Sequence, residues 1–500
     1  MKQKPSINLF LFILIFTNIN TLSYAQNRTS AFPRLEPDPK ALEFFDISKN
    51  ASGITWQQLA QMSLWASGDT SVSNFDRISS AVRAVNSSGE FPASDREKAE
   101  FILNYMHKNI LKSYSLYQTR VDVIFSNGRF NCVSSAVLYM ILCKSAGINT
   151  SGVVTKEHAF IIVHAGGQNY DVETTNPYGF DPGNRKDFLD SSGKITGFAY
   201  VPPQNYRDRQ TINQVQLVSL VFNNIIADHE RQNRYNEAVP VAVDMAALLC
   251  GKSLADNAGN TWGTHFEDPR KGLMDRLLNF GGAQLKAGRE EDALRWAADA
   301  SALYPDELRW QELSNAAVNN YITKLLKAGK TEDARSFLEK QKKLLTANEY
   351  GKLDALLLDT ELLNAANKIK TAEEGEAIVN IMDIAHKEGR LPEKRSVELL
   401  TFAIQKTASI LSAAPARNWR AAVIFIENNL ARFGQNRELE QALKTYRDNL
   451  AADYHNRFAA EWNKKNYEEA ERILNEGLAE FPSDRRLLTN RETVNKSRGR

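Results

Sequence analysis

A chain of 500 residues, 43% of them apolar and 24% charged, has a globular composition and is too long for a single hydrophobic core. A formal net charge of +2 gives no electrostatic case for binding nucleic acid. Three cysteines are an odd number for a disulfide framework, so a free thiol is expected.

At the start of the chain, Lys2 and Lys4 precede an apolar run from Ile7 to Phe16, a polar neck, and the small-any-small pattern Ser23-Tyr24-Ala25. The run is short for a bilayer span, so residues 1–25 are expected to be a cleaved signal peptide rather than an anchor. The first cysteine is Cys132, which excludes a lipoprotein, since that needs a cysteine at the cleavage point. The mature chain is therefore expected in the periplasm or secreted, and not spanning a membrane once the signal is removed.

Residues 26–95 read as a helical lead-in that packs on the core. Within Asp46 to Val85, Ile54, Trp56, Leu59, Met62, Leu64 and Trp65 provide a buried stripe. Residues 86–95 form a turn, with Ser94 or Asp95 as N-cap of a helix from Glu97 to Lys112.

The chemistry-bearing stretch follows. Ser126-Asn127-Gly128-Arg129 is turn chemistry, and Val133, Val137, Leu138, Ile141 and Leu142 repeat at helical spacing up to Gly147. Cys132 therefore falls in the first turn of a buried helix, where unpaired backbone N–H groups and the positive end of the helix dipole favour a thiolate nucleophile. His158 opens a strand, Ala159 to Val163, and is the candidate base. Ala165-Gly166-Gly167-Gln168 reads as a hairpin loop.

If Gly166 and Gly167 make a two-residue turn, His158 faces Thr175, and both Asp171 and Glu173 share its face. Glu173 is one diagonal step away, roughly 7 Å between Cα atoms. Asp171 is four residues out of register, roughly 13 Å along the strand. Glu173 is favoured as the acid that orients His158, with Asp171 the alternative if the loop is longer or bulged. A cysteine taken alone is more often a packed small hydrophobe, and Cys143 and Cys250 are read that way. Cys143 lies eleven residues along the helix from Cys132, roughly 16 Å, too far for a disulfide. His164, near the hairpin tip, is expected to be exposed.

Asn131-Cys132 opening a helix, His158-Ala159-Phe160 opening a strand, and Glu173-Thr174-Thr175 resemble the bacterial transglutaminase-like domains, a papain-like cysteine architecture, over about residues 96–183. The resemblance implies a Cys, His, acid triad performing acyl transfer or amide hydrolysis through a thioester. Cys132 and His158 match its pattern, while Glu173 stands where the family has Asp.

From about residue 216 the chain becomes helix after helix with a loose repeat: a helix, a short turn with Gly or Asn, then a second helix with alanine near its start. It appears at Asn233 to Ala238, Ala287 to Ala293, Ala328 to Ala334 and Asn466 to Ala470, with weaker copies around Ala377 and Ala421. Pro305 and Pro482 stop second helices. A polar insertion runs from Gly251 to Gly272. These units resemble tetratricopeptide repeats, although their alanines are spaced unevenly and more widely than the family's 34-residue period. The resemblance implies a superhelical array holding protein or peptide segments. The basic end, from Arg485, reads as a frayed terminus.

The expected fold is thus α+β: a transglutaminase-like domain over residues 96–215, followed by an all-α repeat array over 216–490 and a basic tail over 491–500. The expected function is an exported thiol enzyme that cleaves or transfers an amide acyl group of a peptide or protein. Cys132 attacks, His158 moves the proton, Glu173 orients His158, and backbone N–H groups, with a side chain such as Gln118, hold the oxyanion. No metal or cofactor is needed. The alternative is a catalytically silent core in an interaction scaffold.

Overall fold

A helix that is apolar on every side has no face that can be left in water, so it must lie inside a core. The helix Cys132–Ser145 does so, and every residue from Val133 to Cys143 is buried. The structure is a computed structural model that describes residues 32–50, 53–183, 208–414 and 417–498, together with Phe188, Ser191 and Lys194. The expected signal peptide lies outside the described residues.

The chain falls into two compact units, the first ending at Leu273 and the second beginning at Met274. The first contains α1 (Pro39–Ser48), α2 (Trp56–Ala66), α3 (Val72–Asn86), α4 (Asp95–Asn109), β1 (Ser113–Tyr114), α5 (Val121–Asn127), β2 (Arg129–Phe130) and α6 (Cys132–Ser145). Then come β3 (Asn149–Val154), β4 (Ala159–Ala165), β5 (Gln168–Val172), β6 (Gln210–Ile212), α7 (Gln214–Arg231) and α8 (Tyr235–Cys250). Ser94 caps α4, accepting from the Glu97 N–H. Ile54, Leu59, Met62, Leu64 and Trp65 of the lead-in stripe are buried, and Trp56 stacks on Phe75.

The four-stranded sheet runs β5-β4-β3-β6, with antiparallel neighbours. β4 is central and covered by α4 and α6, which is why it reads as a continuous apolar run rather than an alternating one. Gly166 and Gly167 have φ of +57° and +76°, the two left-handed positions that a two-residue type I′ turn requires. That turn sets the register from Ala165↔Gln168 to Ile161↔Val172. His164 is half-buried rather than exposed, its ring nitrogens bonded to Ser151 Oγ (2.8 Å) and Asn169 Oδ1 (2.7 Å).

The expected α+β class is overturned. The chain is 68% helical, with 19 helices and only 6 short strands in small sheets among the described residues, and no papain-like domain is evident. The longest strand among the described residues, β4, has 7 residues. Helices rather than further strands cover the sheet, with α4 and α6 on β4 and α6 and α7 on β3. α7 and α8, which the sequence grouped with the repeats, pack within the first unit, α7 against α2, α6 and β3.

In the second unit, successive helices pair as hairpins. α9 (Pro269–Lys286), inside which the division falls, leads into α10 (Glu290–Leu303), α11 (Arg309–Lys327), α12 (Thr331–Gln341), α13 (Ala347–Asn367), α14 (Ala372–Lys387) and α15 (Glu393–Ser412). α16 (Trp419–Phe433), α17 (Arg437–Asn463), α18 (Tyr467–Glu480) and α19 (Arg485–Arg498) complete it. Ala293, Ala334 and Ala470 are fully buried, as the close approach of paired helices demands. The weaker copies shift. Ala377 is exposed, and Gly375 makes the close approach to Thr407; beside Ala421, Ala422 is the buried alanine. The basic end is helical instead of frayed, because α19 buries Leu487 and Val494.

Candidate active site

Cys132 is the first residue of α6. Asn131 caps the helix: its Oδ1 accepts from the Ser134 N–H (3.0 Å), and Ser134 Oγ accepts from the Asn131 N–H (3.0 Å). This capping box uses the Ser134 donor. The N–H groups of Cys132 and Val133, at the helix start, have no intrahelical acceptor. Cys132 is partly exposed, whereas Cys143 and Cys250 are buried and all three thiols are free. Burial pushes the Cys143 thiol far up and the Cys250 thiol up to about 12.

β3 and β4 are joined by Thr155 to His158, and the Thr155 N–H donates to the His158 carbonyl (2.9 Å), fixing the last residue before β4. Continued past Ile161, the β4–β5 register sets His158 opposite Thr175. The chain leaves β5 after Val172, and Glu173 Oε2 reaches His158 Nε2 at 2.5 Å. Asp171 is elsewhere, paired with Arg209 at 2.6 Å. With Nε2 given to Glu173, Nδ1 is the nitrogen left for Cys132, which lines the same cleft as the ring. Histidine and glutamate are thus bonded to each other, and the cysteine shares the cleft into which the histidine opens.

Burial disfavours charge on His158, yet the Glu173 carboxylate, its bond to the ring and the influence of Cys132 outweigh it and hold the imidazole well above its ordinary 6.5. Burial likewise pushes Glu173 up, and the His158 charge together with bonds from His158 and Thr175 leaves it below its ordinary value. Thr175 Oγ1 donates to Glu173 Oε1 at 2.8 Å, so both carboxylate oxygens are bonded.

Several residues that hold Glu173 had not stood out in the sequence. His107, in the last turn of α4, donates from Nε2 to the Thr174 carbonyl (3.1 Å). Burial lowers its pKa to about 4, so it is neutral and keeps the donor proton there. Ser135 Oγ and Thr174 Oγ1 share a bond of 2.8 Å, tying the same segment to α6. Gly179 passes so near that a Cβ would lie 2.0 Å from the Glu173 carbonyl oxygen. Tyr114 stands beside Phe130 across β1–β2. Burial and the charges of Cys132 and Glu173 push its hydroxyl well up, so it stays protonated next to the triad. His107 does fall four residues after Leu103 on the buried stripe of α4, which marks it as a core histidine, but nothing local names its acceptor.

Gln118 is not an oxyanion donor in this arrangement. Its side-chain nitrogen donates to the backbone carbonyls of Arg120 (2.7 Å) and Arg129 (3.4 Å).

Cys132 and His158 open into a cleft of about 370 Å³. Its walls come from the loop before α5, the β3–β4 connection and α7, and His265 of the polar insertion also reaches it. His265 is bonded to Asp208 at 2.9 Å. The arrangement supplies a nucleophile, a base with an orienting acid, and helix-start N–H groups beside the sulfur.

No family model matches the sequence, and no curated protein does. Among solved structures, a crystal structure of menin, described as revealing the binding site for the Mixed Lineage Leukemia protein, aligns over 81% of this chain and 97% of that one, at 12% identity and a TM-score of 0.29. That likeness is too slight to carry an argument. Among the described residues, no helix is long and apolar enough to cross a membrane.

Proposed function

We propose that the chain is a thiol-dependent acyl-transfer enzyme acting on an amide bond of a peptide or protein. The observation that carries this is the His158 ring, bonded through Nε2 to Glu173 at 2.5 Å and sharing one cleft with Cys132 at a helix start. Such a ring holds the thiol proton as an imidazolium, so the sulfur attacks the amide carbonyl carbon as a thiolate. The oxyanion develops near the N–H groups of Cys132 and Val133. His158 then gives the proton to the leaving amine, the C–N bond breaks, and the acyl group remains on sulfur as a thioester. Water attacking the thioester completes hydrolysis, and an amine completes transfer, with His158 accepting the attacking group's proton in either case.

The order of cysteine, histidine and acid, and their resemblance to transglutaminase-like sites, favour the same chemistry. The N-terminal pattern of lysines, apolar run and Ser23-Tyr24-Ala25 favours export. The helical hairpins of the second unit are assigned a protein or peptide partner on the strength of their repeat pattern.

Iodoacetamide with mass-spectrometric mapping tests the reading. Cys132 should be alkylated much faster than Cys143 and Cys250 in the native protein, and faster than in a Glu173→Gln variant. Equal and sluggish labelling of all three would sink the enzyme and leave the interaction scaffold.

A further inference from the structure

One wall of the cleft that holds Cys132 is a stripe of α7. Leu220, Asn223, Asn224, Ala227, Asp228 and Arg231 line it, spaced at alternating steps of three and one, which is a single helix face. From first to last they rise about 16 Å at 1.5 Å per residue. Along that length the surface alternates in character. Asn223, Ala227 and Arg231 are exposed. The Asn224 carboxamide is tied to Thr119 Oγ1 at 3.1 Å, and Asp228 is paired with Arg231. At the far end the Arg231 guanidinium lies 4.1 Å from the centre of the Tyr117 ring, which is itself 68% exposed.

Pockets for compact small molecules are enclosed and mostly apolar, with a few converging polar groups. This wall is open and long, with amide, methyl and guanidinium-on-aromatic surfaces in succession. An extended polypeptide rises about 3.3 Å per residue, so the stripe spans about five residues. It presents the exposed Asn223 carboxamide for the peptide backbone and Leu220 and Ala227 as apolar patches for side chains. The position of α7 is rigid, because its inner face packs against β3, where a Cβ on Gly152 would approach Leu217 Cβ to 3.2 Å.

We infer that the acyl donor is an extended polypeptide segment laid along the Leu220 to Arg231 face of α7, with its reacting carbonyl at Cys132. The inference rests on the thiol acyl-transfer reading and names its substrate class: a main-chain segment about five residues long, in place of a short amide or a lone side chain.

The test uses the full-length protein and N-acetyl alanyl chloromethyl ketones of one to five residues as alkylators of Cys132, with iodoacetamide as the size-independent reference. The readout is the ratio of peptidyl to iodoacetamide rate constants, so a general loss of thiol reactivity cancels. In the wild type the ratio should rise about tenfold or more with length, about 1.4 kcal/mol of added binding. Ala227→Trp, which fills the middle of the stripe, should flatten the rise, as should Asn223→Arg if the tryptophan variant does not fold. A wild-type ratio independent of length, or variants that keep the full rise, overturns the inference while leaving a selectively labelled Cys132 and the thiol chemistry standing. Iodoacetamide without preference for Cys132 overturns both.

Discussion

At the scale of the residue, the site depends on which of two carboxylates meets His158, and distance along the strand register decides it. Glu173 and Asp171 lie on the same strand face, but only Glu173 is adjacent in register, and Asp171 is occupied by Arg209. Glu173→Gln is therefore expected to lower turnover by about a hundredfold or more, whereas Asp171→Asn should stay close to wild type; steady-state hydrolysis of one peptide amide by the two variants and the wild type compares them. The Gln variant should also lower the His158 pKa, since the carboxylate that sustains the imidazolium is gone, and an NMR titration of the imidazole reads this directly. His107 gives a separate pH signature. Its folded pKa is depressed from 6.5 to about 4, so the unfolded chain binds the extra proton first. Its stabilisation is complete above 6.5 and is lost as pH falls towards 4. His107→Gln keeps a donor near the Thr174 carbonyl while removing the titration, so its denaturant midpoint should fall less over that range than the wild type's. Equal acid sensitivity in both would show that His107 carries none of it.

At the scale of the element, the parts that were legible are those whose signals are local. The helix that begins at Cys132 announces itself by an Asn cap and an apolar run, and the hairpin by Gly166-Gly167 between apolar strands. Helix pairing in the second unit is legible in the same way, through alanines where two helices touch. Ala334→Leu should overpack the contact of α12 with its neighbours, costing about 1–3 kcal/mol in a urea titration, while the same change at the exposed Ala377 should cost little. The shifts to Gly375 and Ala422 mark the limit of that reading, since several small residues within one helical turn satisfy the pattern and only the facing helix selects among them.

At the scale of the whole molecule, two units with separate interiors need not unfold together. Calorimetry should resolve two transitions, and covalent occupation of Cys132 should move only the transition of the first unit; one cooperative transition that moves as a whole would contradict this. The amino-acid sequence by itself determined the helix starts, the hairpin register, the free thiols and the order of cysteine, histidine and glutamate, because capping, turn geometry and side-chain periodicity act over a few residues. Only the tertiary structure decided that helices cover the small sheet in place of a papain-like architecture, that His107 and Ser135 clamp the Glu173 segment, and that α7 forms a wall of the cleft that holds Cys132. Those outcomes depend on which distant apolar faces fill one another's volume, and a stripe of buried residues specifies that it must be covered without specifying what covers it.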